Sequence, residues 1–528
     1  MTRHLLWLLL GCTRTPDPTP VPRPVGEHAQ ACAAERLPDQ HDVVLVTIDT
    51  LRADRLGYAG HTQAKTPHLD ALAASGHAYL QATTPLPRTT PALASLLTGL
   101  QPHNHGAREV GDRITVQRTL ATQLQARGWR TVAVSAMKVA SPAQGLDAGF
   151  QSFDVHHDAR ALSLTQSALS RVDEVPAGCP LLLWVHYADP HFPYLPPQDT
   201  PQPEAPKCRK LGERAAAGKL RRYRLFSNDN NMASEALSGC SALYDAEITA
   251  TDAAVGTLID GLKQRGRTSP LVAFTADHGE NMGEWGLFFE HGPNVHDASL
   301  RVPLIIAGPG IPPARSEDVA RVEDVAPTLE SALAIPPSER LPSDGTDLSA
   351  RWTDNATAPE LALAESGSAL HARLTDYLVS GRKERMHCIN GPRYSLCRNA
   401  KGKESLFDRG TDPHLKTNVL SEHRQTAQTL SDAWTRWPVE RTRQRVARNS
   451  RFALVARPTL QGGYSHALYD HRADPAMLQD VSDSHPEVAA ELRTALDKWS
   501  HEVDTVGTSP TDRSEETEAA MRSLGYLE

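Results

Sequence analysis

Three features are absent from this sequence of 528 residues, and each absence excludes a class of protein. Basic residues are not in excess: the formal net charge is −8 at pH 7 with neutral histidines, which argues against a protein that binds nucleic acid. No two of the seven cysteines have the close CxxC spacing of a zinc site, which argues against a metal held by thiols alone. No apolar run is long enough to cross a bilayer, so no transmembrane helix is predicted.

A short apolar run is nevertheless present at the start, in MTRHLLWLLLGC. It covers residues 5–10 and ends two positions before Cys12. This stretch resembles a bacterial lipoprotein signal over 1–12, in which Cys12 is lipidated; an ordinary secretory signal or a chance apolar start is the alternative. Residues 13–40 begin with a proline-rich segment and are predicted to form an extended tether. The resemblance implies an exported, lipid-anchored protein of the bacterial cell envelope, on its periplasmic or outer side.

Cysteine usage agrees with export, because six cysteines remain after Cys12 and an even number in an exported chain suggests disulfides. Cys388 and Cys397 flank a hairpin-like turn, INGPRYSL, and are the favoured pair. Cys208 with Cys240 is the second choice.

From residue 42 onward, apolar strands alternate with amphipathic helices. Such alternation predicts an α/β fold, a mostly parallel sheet sandwiched between helices, over residues 41–350. The predicted strands are 42–49, 129–136, 180–189, 270–277 and 302–307, and the predicted helices are 66–76, 117–128 and 241–266.

The pattern changes beyond about residue 350 to short strands and turns. The stretch LFDRGTDP at 406–413 is echoed 62 positions later by LYDHRADP at 468–475. These observations predict a smaller α+β subdomain over 351–505 with a duplicated turn. A short tail helix is expected over 506–528.

Two predicted strands end in carboxylates. Asp49 follows VVLVTI, and Asp277 follows LVAFTA and precedes His278. Buried carboxylates need a cation or strong hydrogen bonds, and oxygen donors with one imidazole suit Mg²⁺, Ca²⁺, Mn²⁺ or Zn²⁺. We therefore expect one divalent metal ion per chain. A second ion held by Asp189 and His191 with His291 or His296 is the alternative.

A pair of threonines opens the predicted helix in PLPRTTPALASLLTG. Either Thr89 or Thr90 alone reads as an N-cap, with Pro91 at the first helical position. A helix N-terminus also attracts anions, and a metal-bound hydroxyl can act as a nucleophile. The interpretation therefore makes Thr89 a metal-bound nucleophile and Thr90 a simple cap.

Several motifs occur in the order of a known family: VLVTIDTLRADRLGYAG, TTPALASLLTGLQPHNHG, HYADPHFPY, TADHGENMGEWG, EHG and LRVPLIIAGPG. Over residues 41–310 the chain resembles the sulfatases of the alkaline-phosphatase superfamily, and most closely a branch of sulfatase-like hydrolases and transferases. The resemblance implies an enzyme that acts on sulfate or phosphate esters.

The resemblance also implies roles for single residues. The metal ligands would be Asp49, Asp277 and His278, with the nucleophile Thr89 as a further ligand. His191 would contact the substrate oxyanion or protonate the leaving group, and His291 would stand in place of a second substrate-side cation. Substrate contacts are expected from three further residues, Arg88, His186 and Lys138.

Departures from the family pattern matter for the chemistry. The family carries C-x-P-S-R, in which the cysteine, or a serine in its place, becomes formylglycine. This chain has Thr89 at the position of the cysteine and Leu93 at the position of the arginine. Arg88 is expected to replace that charge in part. In the family, a second metal-binding aspartate usually follows the first, and this chain has Thr50 at that position. Threonine is a nucleophile in phosphodiesterases and phosphotransferases of the superfamily, so the nucleophile favours phosphoryl chemistry.

The predicted function is a metal-dependent hydrolase of sulfate or phosphate esters with a covalent intermediate on Thr89. Its partners would be a small-molecule, glycan or lipid ester and, through the lipid anchor, a membrane. A transferase of phospho-substituted head groups and an inactive, lipid-anchored binding protein are the alternatives. The basic stretch 207–224 is either a solvated helix face or a contact for an anionic substrate.

Overall fold

A computed structural model describes the chain from residue 40 to residue 506, with gaps. The predicted signal over 1–12 with Cys12, residues 13–39 of the predicted tether and residues 507–528 of the predicted tail helix lie outside the described residues. The described ranges are 40–217, 230–284, 288–292, 294–352, 361–366, 375–377, 386–390, 394–399, 403–408, 411, 417–436, 443–458 and 463–506.

An eight-stranded sheet forms the centre of the larger part, with strand order β10-β2-β9-β6-β1-β5-β3-β4. All neighbours are parallel except β9, which runs antiparallel to β2 and to β6. The predicted mostly parallel sheet is therefore confirmed. The strands are β1 Val43–Ile48, β2 His77–Thr83, β3 Arg130–Ser135, β4 Ser152–Val155, β5 Leu181–Tyr187, β6 Leu271–Ala276, β9 Leu304–Ala307 and β10 Ala314–Arg321, and a small hairpin pairs β7 Asn281–Met282 with β8 Phe288–Glu290.

Three central strands, β1, β5 and β6, are almost entirely apolar and are buried along their whole length. A strand buried on both faces needs apolar side chains on both, which is why these segments do not alternate with polar residues. In the parallel register, Ile48 at the end of β1 lies opposite Ala276 at the end of β6. The residues that follow, Asp49 and Asp277, therefore leave the sheet side by side.

Helices flank this sheet in two groups, α1, α5 and α7 in one and α2, α4 and α9 in the other. The predicted helix over 117–128 is shorter, because Thr119 begins it with a capping box. The helices are α1 Pro67–Ser75, α2 Thr89–Thr98, α3 Pro102–His105, α4 Leu120–Gln125, α5 Ala161–Asp173, α6 Pro206–Ala216, α7 Asn230–Gln264, α8 Asp297–Leu300, α9 Val325–Ala332, α10 Arg424–Arg436 and α11 Pro486–Val506.

Two four-stranded antiparallel sheets follow in the C-terminal part, ordered β11-β16-β17-β18 and β12-β13-β14-β15. Each of the two repeated sequence stretches begins within the last strand of one of these sheets: LFDRGTDP begins in β15, and LYDHRADP begins in β18. Leu406 N–H donates to Asn418 Oδ1 at 2.9 Å, and Leu468 N–H donates to Asp480 Oδ1 at 3.1 Å, again 62 positions apart. The strands are β11 Ala362–Glu365, β12 Thr375–Tyr377, β13 Met386–Asn390, β14 Tyr394–Asn399, β15 Glu404–Asp408, β16 Arg445–Arg448, β17 Phe452–Pro458 and β18 Tyr464–Asp470.

Disulfides are present among the described cysteines. Cys208 of α6 is bonded to Cys240 of α7, which was the second choice from the sequence. Cys397 is also disulfide-bonded and lies directly opposite Cys388 on the neighbouring strand. Among the described residues, no helix has both the length and the apolar character that a membrane span needs.

A buried ion pair joins the two parts of the chain. Arg108 donates from Nε and Nη2 to the two carboxylate oxygens of Glu365, both at 2.7 Å, and both side chains are buried. Glu365 N–H also donates to the carbonyl of Pro85, in the loop that leads to Thr89. Burial alone would raise the pKa of Glu365, but the charges of Arg108 and then Arg443 lower it to about 2.

Replacing Glu365 by glutamine is expected to lower the free energy of unfolding at pH 7 by about 3 kcal/mol, since it leaves Arg108 without its buried anion. The carboxylate has a folded pKa below its ordinary value of 4.5. Its stabilisation is therefore complete above about pH 4.5 and is lost as the pH falls towards 2. Urea unfolding of wild type and variant at several pH values measures this. Glu339→Gln, which breaks an exposed pair with Arg127, is the control and should cost less than about 1 kcal/mol.

Candidate active site

The two carboxylates that end β1 and β6 meet one imidazole. One ligand atom each of Asp49, Asp277 and His278 lies within 4.8 Å of the others, and all three residues are buried. Nε2 of His278 is 3.3 Å from Oδ2 of Asp277 and 4.0 Å from Oδ1 of Asp49. This is the ligand group expected from the sequence, and the parallel register of the two strands brings it together.

Hydrogen bonds orient this group for a cation. Oδ1 of Asp277 accepts the backbone N–H groups of His278 at 2.8 Å and Thr50 at 3.1 Å, while Oδ2 has no hydrogen-bond partner among the described residues. Nδ1 of His278 lies 3.0 Å from the carbonyl of Gly279, so it donates there and Nε2 faces the carboxylates. Burial and the charge of Asp49 raise the pKa of Asp277 well above its ordinary value. Two adjacent buried carboxylates and an imidazole lone pair fit a divalent cation.

Thr50, which follows Asp49 and contacts Asp277, has a rare backbone conformation. Its φ is +57°, which is an outlier for a β-branched residue, and its buried hydroxyl has no hydrogen-bond partner in the described part of the chain. Its backbone is fixed at both ends, since its N–H donates to Asp277 and its carbonyl accepts the hydroxyl of Tyr244 at 2.7 Å. The sequence showed the lost charge at this position but not the strain.

Thr89 lies at the N-terminus of α2, above the ligand group. The residue is buried, and its Oγ1 is 3.4 Å from Nε2 of His278. The capping prediction is wrong, because Arg88 is the N-cap and α2 begins at Thr89, with Pro91 as its third residue. Thr90 instead ties α2 to two loops, donating to the carbonyl of Val139 at 2.7 Å and accepting from the N–H of Gly111 at 2.9 Å.

Arg88 places a buried cation beside Thr89. Its Nη1 is 3.9 Å from Oε1 of Glu290, and its charge contributes to lowering the pKa of His278, after the larger effect of burial. Gly292 makes room for the guanidinium: its φ is +94°, and a Cβ there would lie 2.1 Å from Nε of Arg88. Leu93, at the position of the family arginine, is buried in the core instead.

Two histidines stand next to the ligand group. The ring of His291 stacks on that of His278 with centroids 4.2 Å apart, and the ring of His191 is 5.3 Å from that of His291. Nδ1 of His291 lies 3.0 Å from Oε1 of Glu280, whereas Nδ1 of His191 lies 2.7 Å from the carbonyl of Phe192. The sequence interpretation missed Glu280, although it directly follows the DHG of the motif.

The other two residues with a predicted substrate contact are His186, which lies beside Asp49, and Lys138, which lies in a loop. His186 is fully buried, its Nε2 is 3.8 Å from Oδ2 of Asp49, and burial lowers its pKa to about 4. The predicted substrate contact of His186 stays a prediction. Lys138 is half-buried in the loop before Val139 and helps to lower the pKa of His157. Its predicted substrate contact stays a prediction.

The alternative of a second ion finds no support in the geometry. Asp189 accepts hydrogen bonds from Nη1 of Arg160 at 2.8 Å and from the N–H of Ala161 at 2.9 Å. Ala161 is the first residue of α5, so both oxygens of Asp189 are used at the start of that helix. His296 is the N-cap residue of α8 and lies 3.3 Å from Nη2 of Arg457. The one group with metal-ligand geometry in the described ranges is that of Asp49.

Comparison with known proteins agrees with this geometry. The family model described as "Sulfatase" matches residues 41–335. The ulvan-active sulfatase of Formosa agariphila is 27% identical over 421 residues, covering 73% of this chain and 78% of that protein. The arylsulfatase of Clostridium perfringens is 23% identical, covering 72% and 90%, and the choline-sulfatase of Rhizobium meliloti is 32% identical over 34% and 33%.

Solved structures show the same fold. The phosphonate monoester hydrolase of Agrobacterium radiobacter aligns with a TM-score of 0.60 at 21% identity, covering 88% of this chain and 96% of that one. The phosphonate monoester hydrolase of Silicibacter pomeroyi gives 0.58 at 18% identity, covering 90% and 99%. Since the family model spans more than half of the sequence and the fold and ligand group agree with it, this chain belongs to the sulfatase family of ester hydrolases.

Proposed function

We propose that this protein is a metal-dependent hydrolase of sulfate or phosphate esters in which Thr89 is the nucleophile. The observation that supports the proposal best is the 3.4 Å distance between Oγ1 of Thr89 and Nε2 of His278. A threonine hydroxyl is weakly nucleophilic by itself, and a site that combines a cation with a helix N-terminus can activate it.

The cation would be held by Asp49, Asp277 and His278, with the Thr89 hydroxyl as a further ligand. When bound, it would supply the positive charge that favours loss of the hydroxyl proton of Thr89. The donor set suits Mg²⁺, Ca²⁺, Mn²⁺ or Zn²⁺, with one ion per chain.

The residues around Thr89 then have separate roles in the reaction. Oγ1 of Thr89, after its proton has passed to solvent water, attacks the sulfur or phosphorus, and the bond to the leaving oxygen breaks. Arg88 and the positive end of α2 stabilise the charge on the remaining oxygens. The leaving oxygen takes its proton from His191 or His291, and water later releases the group from Thr89.

The choice between the two esters depends on the departures from the family pattern. Curated relatives of this chain carry the names of sulfatases. Thr89 replaces the residue that becomes formylglycine. The positive charge beside it comes from Arg88, the residue before it, because the position of the family arginine is occupied by Leu93. A threonine nucleophile favours a phosphoester, so phosphodiester cleavage is the expected activity.

Paired hydrolysis of p-nitrophenyl sulfate and bis-p-nitrophenyl phosphate tests the function. The protein without residues 1–12 is assayed with Mn²⁺, Ca²⁺ or Zn²⁺ and after metal removal. Metal-dependent release of nitrophenol from the phosphodiester supports the proposal, and release from the sulfate alone would assign sulfuryl chemistry to Thr89. No turnover together with no bound metal would favour an inactive binding protein.

The location of the protein is part of the same proposal. We propose an exported protein of the cell envelope that is anchored through a lipid on Cys12 and meets small-molecule, glycan or lipid esters there. The buried disulfide between Cys208 and Cys240 supports an oxidising compartment.

A further inference from the structure

Cys179, which precedes β5, is completely buried and disulfide-bonded. Its partner is neither Cys208 nor Cys240, because those two are bonded to each other. Cys397 is bonded as well, and it lies directly opposite Cys388 on the neighbouring strand. Opposite residues of an antiparallel pair are about 4.5–5.5 Å apart at Cα, a distance that a disulfide spans. That register leaves Cys388 as the partner of Cys397.

Two cysteines of the sequence then remain for Cys179, and both lie outside the described residues: Cys12 and Cys32. Cys12 is the residue proposed to carry the lipid, and a lipidated sulfur has no thiol with which to form a disulfide. Cys32 is also nearer in sequence, since 10 positions separate it from Asp42 and 30 positions separate Cys12 from Asp42. A loop closed through Cys32 therefore costs less entropy.

The hydrogen bonds around Cys179 show that the chain entering β1 passes close to it. Nη1 of Arg267 donates to the carbonyl of Cys179 at 3.2 Å and to Oδ1 of Asp42 at 3.0 Å. The same oxygen of Asp42 accepts the N–H of Leu181 at 2.9 Å. Ten residues of extended chain reach about 33–36 Å, which is far more than this separation requires. The chain before Asp42 is therefore long enough to bring Cys32 to Cys179.

We propose that Cys32 and Cys179 form a disulfide that fixes the N-terminal segment to the central sheet. The bond forms between the two sulfur atoms as the thiols lose two protons and two electrons. A protein disulfide of the oxidising compartment takes up both and becomes a dithiol. The pairing requires such a compartment and is independent of the chemistry at Thr89.

The bond determines at which edge of the sheet the N-terminal segment is attached. β1 and β5 run parallel over six residue pairs. Cys179 lies before β5 at one edge, and Asp49 follows β1 at the opposite edge. Six residues of strand measure about 20 Å. The attachment therefore lies at the edge away from Thr89, and substrate can approach Thr89 without passing it.

Peptide mapping of the protein expressed from the full sequence and isolated from the cell envelope tests the pairing. Free thiols are blocked with N-ethylmaleimide, and the unfolded, unreduced chain is cut with trypsin. The cleavage sites place Cys32 on the peptide 15–36 and Cys179 on the peptide 172–207. Mass spectrometry should find these two peptides joined, and reduction should separate them. Blocked Cys179, or 172–207 joined to any other peptide, in a digest where Cys208 and Cys240 stay joined would overturn the proposal.

Two variants complete the experiment. Cys32→Ser should show one more thiol per chain than the wild type, which reacts only after unfolding in urea because Cys179 is buried, and its kcat should be unchanged. Cys12→Ser is the matched control, since it should lose the lipid and keep the peptides 15–36 and 172–207 joined. No additional thiol in Cys32→Ser would contradict the pairing. Turnover that survives in Thr89→Val would refute the proposed function and leave the pairing intact.

Discussion

Replacing Thr89 by valine is expected to lower turnover by at least about 10⁴-fold, because removal of a nucleophile from a site that acts as a unit costs that much or more. The fold should persist, since valine has the shape of threonine and the lost contact to His278, at 3.4 Å, is long. Steady-state assays on the better of the two nitrophenyl esters, with a thermal unfolding curve of the same sample, measure both effects.

The control for this variant lies in the same helix. Thr98→Val makes the same change near the end of α2, where the hydroxyl donates to the carbonyl of Ala94 at 2.7 Å. It should keep its activity and lose only about 1 kcal/mol of stability. Thr89→Ser keeps a hydroxyl and should keep measurable turnover. Full turnover in Thr89→Val would show that another group attacks.

Asp277→Asn is expected to abolish metal binding and activity together. The amide keeps the oxygen that accepts from Thr50 and His278 but removes the charge that a cation needs. Elemental analysis after dialysis should show that the wild type retains its ion and the variant does not. The loss of activity should be of the order of 10³-fold or more, in keeping with the several kcal/mol that a metal contributes to the transition state.

Stability in the absence of metal separates this effect from misfolding. Burial, and after it the charge of Asp49, raises the pKa of Asp277, so the two carboxylates destabilise the site when no cation is bound. In EDTA the Asp277→Asn protein should therefore unfold at a temperature no lower than the wild type. Asp189→Asn is the second control: it should keep its metal, and a loss of metal there would revive the two-ion alternative.

Local pattern was enough to predict the framework. The apolar runs that became β1, β5 and β6 are readable because strands buried on both faces are apolar throughout. Parallel strands end at the same edge, so the acidic residues after two such runs were predictable as neighbours. Strand β2 was missed, because its mixed sequence HAYLQAT has no simple period and is stabilised by its neighbours in the sheet.

Other features depend on contacts between distant segments. Whether Thr90 caps α2 or ties it to Val139 and Gly111 depends on loops 21 or more positions away. The choice of Cys240 for Cys208 likewise depends on how α6 packs on α7. No periodicity in a sequence encodes such distances.

The sequence by itself determined the sheet, the candidate ligand group of Asp49, Asp277 and His278, and a threonine at a helix N-terminus, because strand burial and helix N-termini act over a few neighbouring residues. Only the tertiary structure decided that Arg88 sits against Gly292 and that Nδ1 of His291 lies 3.0 Å from the buried carboxylate of Glu280. Those relations arise where separate loops converge on one edge of the sheet, and packing alone fixes which atoms meet there.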